Sequence, residues 1–386
     1  MSSAAPAGAP AYGWRLASVH GVPVYIGRSW PIIAVVITIS FGPQVSHPTD
    51  PSAPGWFGYA VAAAYALLLL VSVLTHEAAH AVVARRFRYR VDRVVADLWG
   101  GHTVYDSSRS RPGASAMIAV AGPVANLALA GVGHLLQGVV ADPVAGLLVG
   151  ALTFTNLFVG VFNLLPGLPL DGGFVVDALV WRVTGDRSKG LLVAGWLGRA
   201  LTVLVLFWIV VRPLLAGQTP SLFTIVWGGL IGAFLWSGAT NAIKSATARR
   251  LISSVTVGQV LRPVLTVAST ESAQGVLDRL GRDPQVGFVV AVDGSGSPAG
   301  LVDVPAIGGI DEVRRPMVAA ASLVLRQPDG WLVAAGPDDD VGSVINAIAT
   351  HPQSDGSQLQ VVLVTDPVGR ILGTVAVDDL NRAFPR

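Results

Sequence analysis

The chain has 386 residues, 52% of them hydrophobic and only 13% charged, with a mean hydropathy of +0.59. Soluble domains carry roughly 25% charged residues, so a protein that is water-soluble throughout is excluded. The net charge of +2 hides 17 basic and 9 acidic side chains in residues 1–250 (+8) against 9 basic and 15 acidic in 251–386 (−6), and Cys is absent.

Each imbalance has a consequence. The basic excess sits in short loops, which points to membrane topology and away from nucleic acid. Without Cys, disulfides and thiolate sites are excluded, and a metal has only His and carboxylate to bind it.

The N-terminus, MSSAAPAGAPAYGW, is small and polar and lacks the apolar region of a cleaved signal peptide. Six candidate spans follow: about Trp30–Val45, Phe57–Val83, Ala114–Val139, Val144–Leu165, Leu191–Val211 and Leu222–Ala242. A spanning helix needs roughly 20 apolar residues. The first span is short, and Gly42–Pro43 is expected to interrupt it. Arg and Lys fall fifteen to one on alternate loops, the exception being Arg212. That asymmetry predicts a multi-pass cell-membrane protein with both termini cytoplasmic. Arg199 falls within the fifth span and reads as a buried partner for a carboxylate such as Asp177.

Residues 87–105 (FRYRVDRVVADLWGGHTVY) alternate apolar and polar around Gly100–Gly101, the pattern of a β-hairpin. An exposed strand edge there suits an extended peptide. After Arg250 the character changes to short β-rich runs, turn clusters such as DGSGSP and short helical segments. This is a soluble α/β domain. Its stretches 273–306 and 341–383 look duplicated, each running helix, strand, turn, strand, helix.

The chemistry concentrates in the second span. Glu occurs three times in the chain, and one of them is Glu77 within HEAAH, residues 76–80. An ionisable residue at membrane depth reads as functional. His76 and His80, at i and i+4, lie on one helix face and suit two ligands of one Zn²⁺, with Glu77 as general base. A third ligand is needed. The candidates at depth are His134, Asp142, Asp171 and Asp177, and the first two lie toward the opposite side of the topology. Asp171 sits in NLLPGLPLDGG, residues 163–173, where Pro166 and Pro169 break the helix of the fourth span. Irregular backbone at this depth needs protein or a water-filled cavity around it. The same residues also suit a tight turn closing that span. His102 reads as part of the hairpin.

HExxH in one span with NxxPxxPxDG in a later one resembles the motif pair of the site-2 protease family, the intramembrane zinc metalloproteases. Residues 251–386 resemble a tandem pair of cystathionine-β-synthase-type (CBS) domains. The resemblance implies a polytopic α-helical membrane protein of about six spans, with a small cytoplasmic hairpin and a C-terminal soluble α/β domain. It divides the chain into a cytoplasmic segment 1–29, a protease domain 30–250 and the CBS pair 251–386. It implies zinc on His76, His80 and Asp171, Glu77 as catalytic base, and Asn163 orienting the substrate carbonyl or steadying the oxyanion. AGPVAN, residues 121–126, resembles a further family element and puts Asn126 near the site; a helix-packing role suits Asn126 equally. CBS pairs often bind an adenine nucleotide, for which Asp379 in GTVAVDD (373–379) is the candidate ribose ligand; a dimerisation or lid role is the other reading.

The resemblance thus implies a zinc endopeptidase cutting transmembrane proteins, as in regulated intramembrane proteolysis, modulated or dimerised by the CBS pair. Two alternatives compete: an inactive relative acting as a membrane scaffold, and a CBS-regulated channel or transporter.

Overall fold

The computed structural model describes residues 13–19, 21–49, 54–97, 100–105, 110–283, 285–350 and 359–384. It divides into two compact units, Met1–Thr247 and Ala248–Arg386.

The first unit opens with strands β1 (Trp14–Val19) and β2 (Val22–Ile26), joined through Gly21 at φ +84°. Helices α1 (Trp30–Thr49) and α2 (Phe57–Arg86) follow, then strands β3 (Val91–Asp97) and β4 (Gly100–Tyr105). Next come α3 (Pro112–Gln137), α4 (Pro143–Asn163), α5 (Asp171–Thr184) and α6 (Arg187–Leu206). A π-helical turn, Phe207–Val211, carries α6 into α7 (Arg212–Leu215), and α8 (Leu222–Ser254) completes the helices of this region.

Among the described residues five helices are long and apolar enough to cross a membrane: α2, α3, α4, α6 with its continuation to Leu215, and α8. Their outer faces carry large apolar side chains, such as Leu67, Val82, Phe154 and Val203, each at least 60% exposed. Continuous apolar exposure of that kind is unstable in water and ordinary in lipid. The apolar part of α1, Trp30–Val45, is shorter. At 30 residues α2 is about 45 Å long, more than the roughly 30 Å hydrocarbon core. His80 lies six residues, or about 9 Å, before its Arg86 end.

Three expectations change here. Helix α1 runs unbroken through Gly42–Pro43. Gly42 lies against the Tyr59 ring of α2, where a Cβ would clash, so tight packing accounts for the glycine. The N-terminal segment contributes β1 and β2, which complete a four-stranded sheet in the order β1-β2-β3-β4. Strand β2 pairs in parallel with β3 through Val24↔Val94 to Ile26↔Ala96, buried over the C-terminal turns of α2. Gly172–Gly173, expected in a turn, instead open α5, a 14-residue helix that the sequence reading did not anticipate. Both glycines lie against the backbone of residues 164–168, which folds back over them.

The second unit begins within α8 and continues through the single-turn helix α9 (Val257–Val260). It contains two similar motifs. The first is β5 (Val264–Ala268), α10 (Ala273–Leu280), β6 (Phe288–Val292), β7 (Pro298–Val302) and α11 (Val304–Gly308), with the short β8 (Val324–Leu325) at the sheet edge. The second is β9 (Leu332–Ala334), α12 (Gly342–Thr350), β10 (Val361–Thr365), β11 (Ile371–Ala376) and α13 (Val377–Ala383). In each, a parallel pair (β5/β6, β9/β10) adjoins an antiparallel hairpin (β6/β7, β10/β11). Val267, Val276, Val289 and Ile307 centre one core; Val333, Val344, Leu363 and Val375 lie in the other. The duplication read from 273–306 and 341–383 is thus present as a repeated topology.

Candidate metal centre and active site

The HEAAH segment lies within α2 with no helix break, so its residues keep strict helical spacing. Ser72, His76 and His80, at i, i+4 and i+8, share the face turned into the protein, and all are buried. On the second side, α4 ends at Asn163 and the chain crosses Leu164–Leu170 without regular structure. Leu168 N–H bonds to Ala194 O of α6 at 3.1 Å, which anchors that crossing. Asp171, the first residue of α5, is thereby delivered to the histidines.

The ligand atoms converge. His76 Nε2 and His80 Nε2 are 3.0 Å apart, and Asp171 Oδ2 is 3.1 Å from the first and 3.5 Å from the second. A tetrahedron with metal–ligand arms of about 2.05 Å has edges of about 3.3 Å. The three separations match one face of it. The outer ring nitrogens face only acceptors: His76 Nδ1 faces Asn126 Oδ1, and His80 Nδ1 faces the Ile118 carbonyl at 2.7 Å. In the neutral imidazole each Nδ1 therefore carries the proton, which leaves each Nε2 with a lone pair. Two lone pairs and a carboxylate oxygen pointing at one spot repel unless a cation sits among them. The donor set, two imidazoles and a carboxylate without sulfur, suits Zn²⁺. Among the described residues this is the one cluster of three or more His or acidic side chains that could hold a metal.

Glu77 is buried beside this cluster on the side of the hairpin. Thr103 Oγ1 of β4 lies 2.8 Å from Glu77 Oε2 and 3.0 Å from its main-chain oxygen. Gly101, two residues earlier on β4, approaches so closely that a Cβ there would sit 2.8 Å from Glu77 Oε1. Gly122 of α3 does the same to the histidines: its Cβ would meet His76 Nε2 at 2.5 Å and His80 Nε2 more closely still. Two cavities meet at the cluster, and Glu77, Gly101, Pro169 and Asp171 line both. One, of about 180 Å³, extends to Asn163 and Asn126; the other, of about 330 Å³, extends to His102, Tyr105 and Arg187.

Residues 64–146 and 131–207 match the model of peptidase family M50. Over 373 residues the chain is 28% identical to sll0528 of Synechocystis sp., a protein assigned as a zinc metalloprotease, covering 93% of this chain and 92% of that one. Over residues 64–207 the chain is thus similar to peptidase family M50. Together with the apolar helices, these likenesses mark it as a zinc metalloprotease and a membrane protein. Among solved structures it is similar to the site-2 protease from Methanocaldococcus jannaschii (24% identity, TM-score 0.43, 60% of this chain and 95% of that one). It is also similar to the CBS domain of a membrane protein from Sphaerobacter thermophilus (20% identity, TM-score 0.28, 37% of this chain and 97% of that one).

The residues singled out from sequence fall as follows. His76, His80, Asp171 and Glu77 come together, and Asn163 lines the smaller cavity with His76, Glu77 and Asp171. Asn126 touches His76. Asp142 instead caps α4, accepting from Ala145 N at 2.8 Å, and His134 lies in the last turn of α3. His102 lies 3.6 Å from Asp97 across the hairpin. Outside the spans, the Asp97 carboxylate holds the His102 imidazole above the ordinary histidine range. Asp177 pairs with Arg187 at 3.9 Å rather than with Arg199, which corrects that pairing. Arg199 lies between the rings of Trp196 and Trp236, 4.9 Å from each centroid, because the aromatic faces attract its charge where water is scarce. Asp379 is buried, with Arg262 Nη2 and Arg382 Nη2 each 2.5 Å from its Oδ1. Sequence reasoning missed Gly101, Thr103, Gly122, Ser72 and Asn156. Two left a signal: Ser72 stands one helical turn before His76, and Asn156 is a polar residue inside an apolar span. His20 and His351 lie outside the described residues.

Proposed function

We propose that this protein is an intramembrane zinc endopeptidase that hydrolyses peptide bonds of transmembrane proteins, in the manner of regulated intramembrane proteolysis. The observation that carries the proposal is the convergence of buried His76 and His80 with the partly buried Asp171, with buried Glu77 beside them. In this reading the chain crosses the cell membrane six times, α1 included, with both termini cytoplasmic, as the fifteen-to-one loop asymmetry supports.

His76, His80 and Asp171 would hold the zinc ion. A bound Zn²⁺ supplies a Lewis acid that polarises the scissile carbonyl and acidifies water. Glu77 is the general base: its carboxylate accepts a proton from the attacking water and returns it to the departing amine. Thr103 holds that carboxylate in place. Asn163, at the rim of the smaller cavity, offers its amide to the carbonyl oxygen as charge develops there. Among the described residues strand β4 is an edge strand of its sheet and runs past Glu77, so an unwound substrate segment would add to it as a further strand.

The second unit is read as a CBS pair that modulates or dimerises the enzyme, on the strength of its duplicated motif. Asp379 remains the candidate ribose ligand there, but an adenine nucleotide would have to compete with Arg262 and Arg382 for its carboxylate. A channel or transporter leaves the lone-pair cluster without a role.

The test is cleavage of a single-span model substrate in proteoliposomes. Glu77→Gln is expected to lose roughly 10²–10⁴-fold in rate while zinc content stays at the wild-type level. Equal cleavage by both proteins removes Glu77 from the chemistry. Zinc binding without cleavage of any substrate favours the scaffold reading.

A further inference from the structure

Three polar side chains behind the metal cluster have no part in the mechanism above. Ser72, Asn126 and Asn156 come from α2, α3 and α4, and all are at most 4% exposed. Their hydrogen bonds form one directed chain. It starts at a backbone carbonyl, whose acceptor role is fixed. Asn156 Nδ2 donates to Leu152 O at 2.9 Å, so Asn156 Oδ1 must face the other way. That oxygen accepts from Ser72 Oγ at 2.7 Å and from Asn126 Nδ2 at 2.7 Å. Asn126 Nδ2 also donates to Ser72 Oγ at 3.3 Å. With its nitrogen committed to two acceptors, Asn126 presents Oδ1 to His76 Nδ1. A flipped Asn126 amide would set two carbonyl oxygens 2.7 Å apart in a buried site and leave donors unpaired, which is strongly disfavoured.

We infer that Asn126, oriented by Asn156 and Ser72, is a positioning residue that fixes His76 with its proton on Nδ1 and its Nε2 lone pair on the metal site. The inference rests on the zinc reading above and deepens it. The two histidines are oriented by different means. The His80 ring is held by the Ile118 carbonyl, which cannot reverse. An amide holds His76 and can reverse, so it needs its own anchor, and the relay supplies one at Leu152 O. A purely structural role is the competing account, since polar residues also join membrane helices. The two accounts differ in what they say of Asn156, which touches neither the ligand atoms nor the cavities around them.

The experiment measures zinc affinity of the full-length detergent-purified protein by chelator competition, alongside its melting temperature. Imidazole ¹⁵N NMR of the metal-free protein is read on the same samples. Asn126→Ala is expected to weaken zinc binding by roughly 10–100-fold, the usual effect of losing the partner of a ligating histidine. Asn156→Ala is expected to weaken it by several-fold, with a new Nε2-protonated imidazole signal as the freed Asn126 amide reverses. Wild-type zinc affinity and an unchanged imidazole spectrum in both variants, even with lowered melting temperatures, would overturn the inference. Should Asn126→Ala fail to fold, Asn156→Ala decides on the same criteria. Absence of zinc binding by the wild type is a separate result: it defeats the metal reading itself.

Discussion

Gly122→Ala puts one methyl group where two imidazoles already sit. Its carbon would lie 2.5 Å from His76 Nε2 and 2.6 Å from His76 Cε1, and closer to His80 Nε2. Nonbonded carbon contacts settle at about 3.5 Å or more, so the rings must retreat by about 1 Å. They cannot retreat freely, because Asn126 and the Ile118 carbonyl hold their far edges. A misplacement of about 1 Å in a catalytic group costs on the order of 10²-fold, or about 2.7 kcal/mol in the barrier. The expected outcome is therefore at least about 100-fold slower cleavage together with weaker zinc binding. Helix α3 itself should persist, because Ala favours helix over Gly. Gly131→Ala is the control: it lies on the same helix, and an added Cβ meets nothing within 4 Å. Steady-state cleavage and chelator competition on both variants are the assay. Gly122→Ala with wild-type rate and zinc affinity would refute the close approach on which the site geometry depends.

Thr103→Val removes the hydroxyl 2.8 Å from Glu77 Oε2 while keeping the shape of the side chain. Losing a hydrogen bond to a charged partner corresponds to roughly 10-fold or more in kcat, with zinc content unchanged; an unaltered kcat shows that Thr103 does not hold the base. On the exposed side of the hairpin, His102 should titrate above the ordinary histidine range, and Asp97→Asn should bring it down, as followed by imidazole NMR. The sign follows from linkage. A raised folded-state value stabilises the hairpin fully below the unfolded value and loses that contribution as pH rises through the folded value. An unchanged His102 titration in Asp97→Asn would contradict the pairing.

Where a local rule decided the outcome, the sequence was legible. HEAAH needed only helical periodicity to place two imidazoles on one face. The two prolines around Gly167 were enough to predict a broken helix that frees Asp171 to approach. The 87–105 alternation revealed the hairpin in the same way. What stayed hidden depends on partners distant in sequence. Strands β1 and β2 are short and weakly patterned, and become strands by pairing with β3. Helix α5 includes in its first turn two glycines that local rules assign to a turn, and the 164–168 backbone packs against them. Arg199 was given a carboxylate partner because charge pairing is the default expectation, whereas two tryptophans on α6 and α8 supply the attraction instead. Gly101 was read only as part of the hairpin and Gly122 only as part of AGPVAN. Their importance lies in what a side chain there would strike.

Zinc-edge X-ray absorption on the purified, metal-loaded protein tests the central claim most directly. The account predicts one zinc per chain, with two imidazole nitrogens at about 2.0–2.1 Å and carboxylate oxygen at about 2.0–2.2 Å, and loss of that oxygen and of most of the affinity in Asp171→Ala. A zinc coordination sphere that Asp171→Ala leaves intact would contradict it.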